Sequence, residues 1–73
     1  MFQLIYKHMG TLGENIRKYR LLKKLSQQKL GEGLGFSART VSDWECNNTE
    51  PSVNTIKQIV RILDITFDEL FDF

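Results

Sequence analysis

An all-α fold of five short helices is predicted for this 73-residue chain by three observations. A helix-start signal opens each of five segments, apolar residues recur at helical spacing, and no alternating strand pattern occurs after residue 9. A composition of 41% hydrophobic and 26% charged residues, with five glycines and one proline, is that of one globular domain and excludes a disordered, collagenous or tandem-domain chain. A chain this short buries only about 60% of its unfolded surface. That is enough for one modest core and too little for a deep, walled pocket.

Residues 1–9 are set apart from the domain at residues 10–73. Residues 2–6 read as an extended arm, a frayed tail or, with His8-Met9 ahead of a natural start, a cloning remnant. Thr11-Leu12-Gly13-Glu14 has capping-box spacing, in which the threonine hydroxyl accepts from a free backbone amide while the glutamate reaches back. A first helix follows, running to about Lys24, with Leu12, Ile16 and Tyr19 on one face and Leu22 close by, and Arg17, Lys18, Lys23 and Lys24 mostly on the other. Ser26 is a good N-cap for a second helix over residues 27–34, whose inward edge is Leu30 and Leu34. Gly35 ends it, because glycine enters the left-handed region without steric cost.

Ser37 caps a third helix over residues 38–46 that turns Val41 and Trp44 inward. Asn47-Asn48-Thr49-Glu50-Pro51 is a turn-forming loop, since asparagine tolerates positive φ and Pro51 biases its predecessor away from helix. Ser52 caps a fourth helix bearing the clearest apolar stripe, Val53, Ile56, Ile59, Val60 and Leu63. Thr66-Phe67-Asp68-Glu69 repeats the capping-box spacing, and Ile65 can staple to Leu70 across the start of a short fifth helix.

Whole classes of function drop out. Cys46 alone cannot form an internal disulfide, and His8 with Cys46 cannot complete a zinc site, so neither metal nor cofactor is expected and the implied compartment is the cytoplasm. No apolar run approaches the roughly 18 residues of a membrane span, so no membrane partner is expected. No paired carboxylates, no nucleophile with its base and no ligand set mark a catalytic centre, so the chain is not expected to be an enzyme. The net charge is only +1, but residues 1–44 hold eight Lys or Arg against three acids, a net +5, and residues 45–73 hold two against six, a net −4. A basic face can therefore exist beneath a nearly neutral total.

Residues 27–46 carry the most information. Gly31 lies where the second helix presses on the third, Gly35 supplies the turn, and Leu30, Leu34, Phe36, Val41 and Trp44 supply a shared core. Two helices crossing steeply through a turn of three or four residues need that combination. Valine at Gly31 is expected to destabilise by about 1 to 3 kcal/mol through overpacking. Alanine is expected to be tolerated there, since it also favours helix.

In this order and spacing the residues resemble a helix-turn-helix. The resemblance continues through Leu25-Ser26-Gln27-Gln28-Lys29-Leu30, Val41-Ser42-Asp43-Trp44-Glu45 and Pro51-Ser52. From about residue 12 to residue 71 the chain is similar to the Cro/C1-type (XRE) family, which implies a compact five-helix, lambda-repressor-like domain. The resemblance further implies that the third helix enters the DNA major groove, that Gln27 fastens a phosphate, and that the loop after the third helix holds the backbone. It implies an ion pair of Arg20 with Glu45 tying the first helix to the third. Asn47, Asp64 and Lys24 stand where that family usually has glycine. Asn48, Thr49 and Glu50 stand where relatives often place Lys or Arg, which weakens the phosphate clamp.

With Phe36, Val41 and Trp44 inward, the outward residues at the third helix are Ser37, Ala38, Arg39, Ser42 and Asp43, with Cys46 at the far end. Arg39 can donate a pair of hydrogen bonds to guanine O6 and N7, Ala38 can pack on a thymine methyl, and Asp43 can accept from cytosine N4 or repel phosphate. Gln27 and Gln28 sit at the positive end of the second helix, where an anion docks readily. Thr40 and Asn48 can donate to phosphate or serve only local structure. Lys23, Lys24 and Lys29 add diffuse attraction, and Cys46 is read as an inert thiol.

The expected function is that of a double-stranded DNA-binding transcriptional regulator, a repressor acting as a homodimer on a two-fold symmetric operator, with no small-molecule ligand implied. Dimer contacts are expected from the Phe67, Phe71 and Phe73 edge or from the amino-terminal arm. The alternative is a protein-interaction or antitoxin-like module on the same fold, since fold alone does not settle function. Binding to random duplex that vanishes at moderate salt, with no sequence enriched by selection, distinguishes it.

Overall fold

In the computed structural model, which describes residues 10–73, each helix begins where a serine or threonine in extended backbone turns its hydroxyl onto the amide three residues on. Thr11 caps α1 (Leu12–Leu22), Ser26 caps α2 (Gln27–Leu34), Ser37 caps α3 (Ala38–Glu45), Ser52 caps α4 (Val53–Leu63) and Thr66 caps α5 (Phe67–Leu70). At Thr11 and Thr66 the capping box is complete, with Glu14 and Glu69 reaching back to the cap amides. No strand occurs among the described residues. The expected arm at residues 1–9 lies outside them.

Helix ends follow from backbone sign. Gly35 takes φ 82 and closes α2. Lys24, Asn47 and Asp64, the residues standing where glycine is usual in the resembling family, take φ of 59, 62 and 57. The cost of the left-handed region is small for Asn and Asp and larger for Lys. Lys24 also explains why α1 stops at Leu22, two residues short of the expected end. Cys46 caps α3 rather than extending it, so that helix is one residue shorter than expected.

Every helix contributes to one core. Ile16, Leu30, Val41, Ile59, Leu63 and Leu70 are wholly buried, and Trp44, Ile56 and Val60 nearly so, while Leu12, Tyr19, Leu25, Leu34, Ile62 and Ile65 pack around them. Three expected inward residues are not there. Leu22, the last residue of α1, is 67% exposed. Val53 is 67% exposed because it is the first residue of α4 and stands beyond the core's edge. Phe36 is 42% exposed, since the turn brings only its ring edge to Trp44, with centroids 5.2 Å apart at 75°.

Long-range polar contacts fasten the helices where apolar packing ends. The Arg20 Nε–H meets Glu45 Oε2 at 2.6 Å, its Nη2 donates to Glu45 Oε1 at 3.0 Å, and its Nη1 donates to the Leu25 carbonyl at 2.8 Å. Both side chains are buried, so α1 and α3 are joined by a desolvated, paired charge. Asn47 in its left-handed backbone accepts from the Gly13 amide and donates to Thr11 Oγ1, fixing the start of α1 to the end of α3. Asn15 Nδ2 donates to the carbonyls of Leu70 and Asp72, holding the end of α5 against α1.

Gly31 is tighter than the sequence suggested. A Cβ there would stand 2.5 Å from the Phe36 carbonyl oxygen, and Phe36 itself donates its amide to the Gly31 carbonyl at 2.8 Å. The turn backbone is thus pressed onto α2, and even alanine requires it to move. The expectation that alanine is tolerated at Gly31 is corrected accordingly.

Candidate nucleic-acid interface

The helix-turn-helix surface is built on a rigid junction. The turn between α2 and α3, at Phe36 and Ser37, is pressed onto Gly31 rather than α3 itself, and Leu30 of α2 and Val41 and Trp44 of α3 are buried in the core. Against this inner face, α3 presents an outer one. Ser37 and Arg39 are exposed, and Ala38, Thr40, Ser42 and Asp43 are half-buried, so six expected interface residues share one stretch of surface with Cys46 exposed at its end.

The side chains are engaged to different degrees. Ser37 Oγ accepts from the Thr40 amide and shares a 3.1 Å hydrogen bond with Thr40 Oγ1, so both hydroxyls serve the start of α3 in the free chain. Ala38 offers only a methyl group. Ser42 Oγ has no hydrogen-bond partner among the described residues, and Arg39 is 87% exposed in its side chain, with Nε 3.8 Å from Asp43 Oδ1. Asn48, in the loop after α3, donates its Nδ2 to the same Asp43 oxygen at 3.5 Å and its backbone amide to the Asp43 carbonyl at 2.8 Å.

At the start of α2 the two glutamines differ. Gln28 is exposed and reaches Glu32 only loosely, at 3.4 Å. Gln27 donates its Nε2 to Glu45 Oε1 at 3.1 Å, which joins it to the buried Arg20–Glu45 pair and fixes its position relative to α3. The sequence offered no local sign of this bond, because its partners lie 18 residues apart. The Gln27 and Gln28 amides still open the positive end of α2 toward solvent, a disposition suited to an anion.

Electrostatically this surface is balanced. Lys29 stands 4.0 Å from Glu32 and Arg39 is 3.8 Å from Asp43, so each cation on α2 and α3 has an acid of its own helix beside it. The basic excess of the first half lies instead on α1 and just after it, in Arg17, Lys18, Lys23 and Lys24, with Lys23 turned to Asp64 at 3.7 Å. Among the described residues no group of His, Cys, Asp and Glu is placed to hold a metal ion, and no helix is long and apolar enough to cross a membrane.

This architecture has relatives. A family described as helix-turn-helix matches residues 16–70. The chain is 37% identical over 57 residues to the HTH-type transcriptional regulator YqaE of Bacillus subtilis, covering 78% of this chain and 49% of that protein. It is 33% identical over 57 residues to the HTH-type transcriptional activator BcrR of Enterococcus faecalis, covering 28% of it. The chain therefore spans about half the length, or less, of these two relatives. The P22 c2 repressor, solved in complex with a synthetic operator, superimposes with a TM-score of 0.79 at 32% identity, covering 85% of this chain and 94% of that one.

Proposed function

Because the chain belongs to the Cro/C1-type helix-turn-helix family, we propose that it is a sequence-specific double-stranded DNA-binding transcriptional regulator. It acts as a repressor, as a homodimer on a two-fold symmetric operator. The observation that carries this reading is the outer face of α3, with Ala38, Arg39, Ser42 and Asp43 displayed side by side on a helix whose inner face is locked to α1 and α2. An exposed helix of this width fits the major groove, where each base pair has its own donor and acceptor pattern. Gln27, Gln28, Ser37, Thr40 and Asn48 border it and hold the duplex backbone, which sets register without reading sequence. Likeness to an operator-bound repressor over nearly its whole length supports the repressor role.

In vitro selection from a random duplex pool tests the reading. It is expected to enrich a two-fold symmetric site with half-sites about one helical turn apart. Arg39→Ala should relax one position per half-site, a loss of about 1 to 3 kcal/mol in discrimination, while Gln27→Ala should weaken all duplexes alike. A pool that stays random, with binding abolished at moderate salt, refutes it.

Pairing of two copies rests on the aromatic edge at α5. Phe67, Phe71 and Phe73 are 44%, 43% and 52% exposed, and only Leu70 of this segment is buried, so none of the three rings is absorbed by the chain's own core. Covering one phenylalanine is worth about 1.5 to 3 kcal/mol, so a symmetric pair supports a weak dimer that two half-sites reinforce. Sedimentation of Phe71→Ala, Phe73→Ala with a two-half-site duplex should show loss of cooperative two-to-one binding. Unchanged cooperativity would place the contact elsewhere, with residues 2–6 as the next place to look.

A further inference from the structure

Asp43 occupies an odd position for an acid on a surface meant to meet phosphate. It is four residues after Arg39, one turn along α3, and its Oδ1 is approached from two sides, by Arg39 Nε at 3.8 Å and by Asn48 Nδ2 at 3.5 Å. Its side chain is only 30% exposed, whereas that of Arg39 is 87% exposed, so the carboxylate is the more buried member of the pair and the guanidinium the more exposed one. Oδ2 has no hydrogen-bond partner among the described residues. The backbone holds the acid in place as well, because the Asp43 carbonyl accepts from the Asn48 amide at 2.8 Å.

We infer that Asp43 is a positioning and specificity-determining residue, which holds the Arg39 fork for guanine and itself accepts from an exocyclic amine on the adjacent base pair. The inference rests on the DNA-binding reading above. Its chemistry is that of the two ends of a guanidinium. Contact through Nε leaves Nη1 and Nη2 free, and those two nitrogens suffice for guanine O6 and N7. Residues four apart on a helix are about 6 Å apart along its axis, within reach of neighbouring base pairs. The free Oδ2 is acceptor-only, so it suits cytosine N4 or adenine N6 and is repelled by a carbonyl or a phosphate.

Asp43 thereby acts against the wrong duplex as well as for the right one. Unpaired, Arg39 would be a mobile cation that binds any phosphate, which adds affinity without information. Held on Asp43, it contributes little to random duplex and its full share only where guanine is in register. Specificity of this kind comes from an unfavourable element placed against competitors.

The test compares the parent with Asp43→Asn, which keeps the side-chain shape, by selection from a random pool and by titration of selected and random duplexes over a range of salt. The variant should bind random duplex more tightly and lose about fivefold in the ratio of selected to random affinity, the lower end of one base-pair discrimination. Its preference should broaden at two adjacent positions, those of Arg39 and Asp43, and in the double variant with Arg39→Ala it should add no further loss at the Arg39 position while still broadening the Asp43 position. If the parent selects a site and Asp43→Asn keeps the same ratio and the same positional preference, the inference is wrong while the DNA-binding reading stands. If the parent selects no site, both fall. Unchanged thermal unfolding of Asp43→Asn confirms that the readout is recognition and not fold.

Discussion

Replacing Glu45 with alanine is expected to lower the unfolding free energy by about 3 to 5 kcal/mol. The pair it breaks is buried on both sides, and the loss strands an arginine that cannot shed its charge. Arg20 would keep one hydrogen bond, to the Leu25 carbonyl, and Gln27 would lose its Nε2 acceptor in the same step. A domain of this size holds only about 0.05 to 0.15 kcal/mol per residue, so the variant should be partly unfolded at ordinary temperature. Since 1 kcal/mol moves the midpoint of a small domain by roughly 4 to 8 °C, a fall of more than about 12 °C is expected in a thermal melt. Replacing both partners with apolar residues, Arg20→Met with Glu45→Leu, should restore most of the loss, because the desolvation cost goes with the pair. A midpoint for Glu45→Ala within a few degrees of the parent's would show that the pair adds nothing.

Gly13→Ala should cost about as much, through space rather than charge. A Cβ at Gly13 would lie 2.2 Å from the Trp44 carbonyl oxygen, 2.8 Å from that of Glu45 and 2.7 Å from Asn47 Oδ1. Two of the three are backbone atoms at the end of α3, so relief requires α1 to back away from the helix it is tied to. The helix-propensity gain of alanine over glycine, about 1 kcal/mol, is small against an overpacking cost at or above the top of the usual 1 to 3 kcal/mol. Gly31→Ala, which meets one backbone oxygen at 2.5 Å, should be destabilising but milder. Chemical denaturation of the two variants side by side checks both the sign and the order. A Gly13→Ala protein as stable as the parent would mean that α1 and α3 are not in the register described.

The local half of this fold was legible in the sequence. All five caps, the capping boxes at Thr11 and Thr66 and the left-handed Gly35 are set by residues within three or four positions of one another, which is the range a linear reading covers. The resemblance added Arg20 with Glu45 and drew attention to Lys24, Asn47 and Asp64. Contacts across 34 to 57 residues left no such trace. Asn47 looked like a turn former and is a bridge to Gly13 and Thr11, Asn15 drew no notice and fastens α5, and Gly13 looked like part of a capping box and is a point of closest approach. Phe36 misled because hydrophobicity marks what prefers to be buried, not whether the turn leaves room to bury it. At the interface, the sequence supplied the outward face of α3 but not the state of each side chain. Gln27 bound to Glu45 is a product of packing, whereas Arg39 beside Asp43 is a pair four residues apart on one helix, whose spacing the sequence does display.

The shortness of α5 has a consequence for how the molecule behaves in time. Four residues with one buried side chain, closed by a capping box and two hydrogen bonds from Asn15, hold far less than the helices around them. Such a segment opens by local unfolding at a free energy below that of the whole domain, so its amides exchange with solvent sooner than those of α4. The aromatic edge is therefore carried on a part of the fold that opens before the rest. Whatever covers those rings also holds α5 shut, and association and the ordering of this helix become a single linked equilibrium.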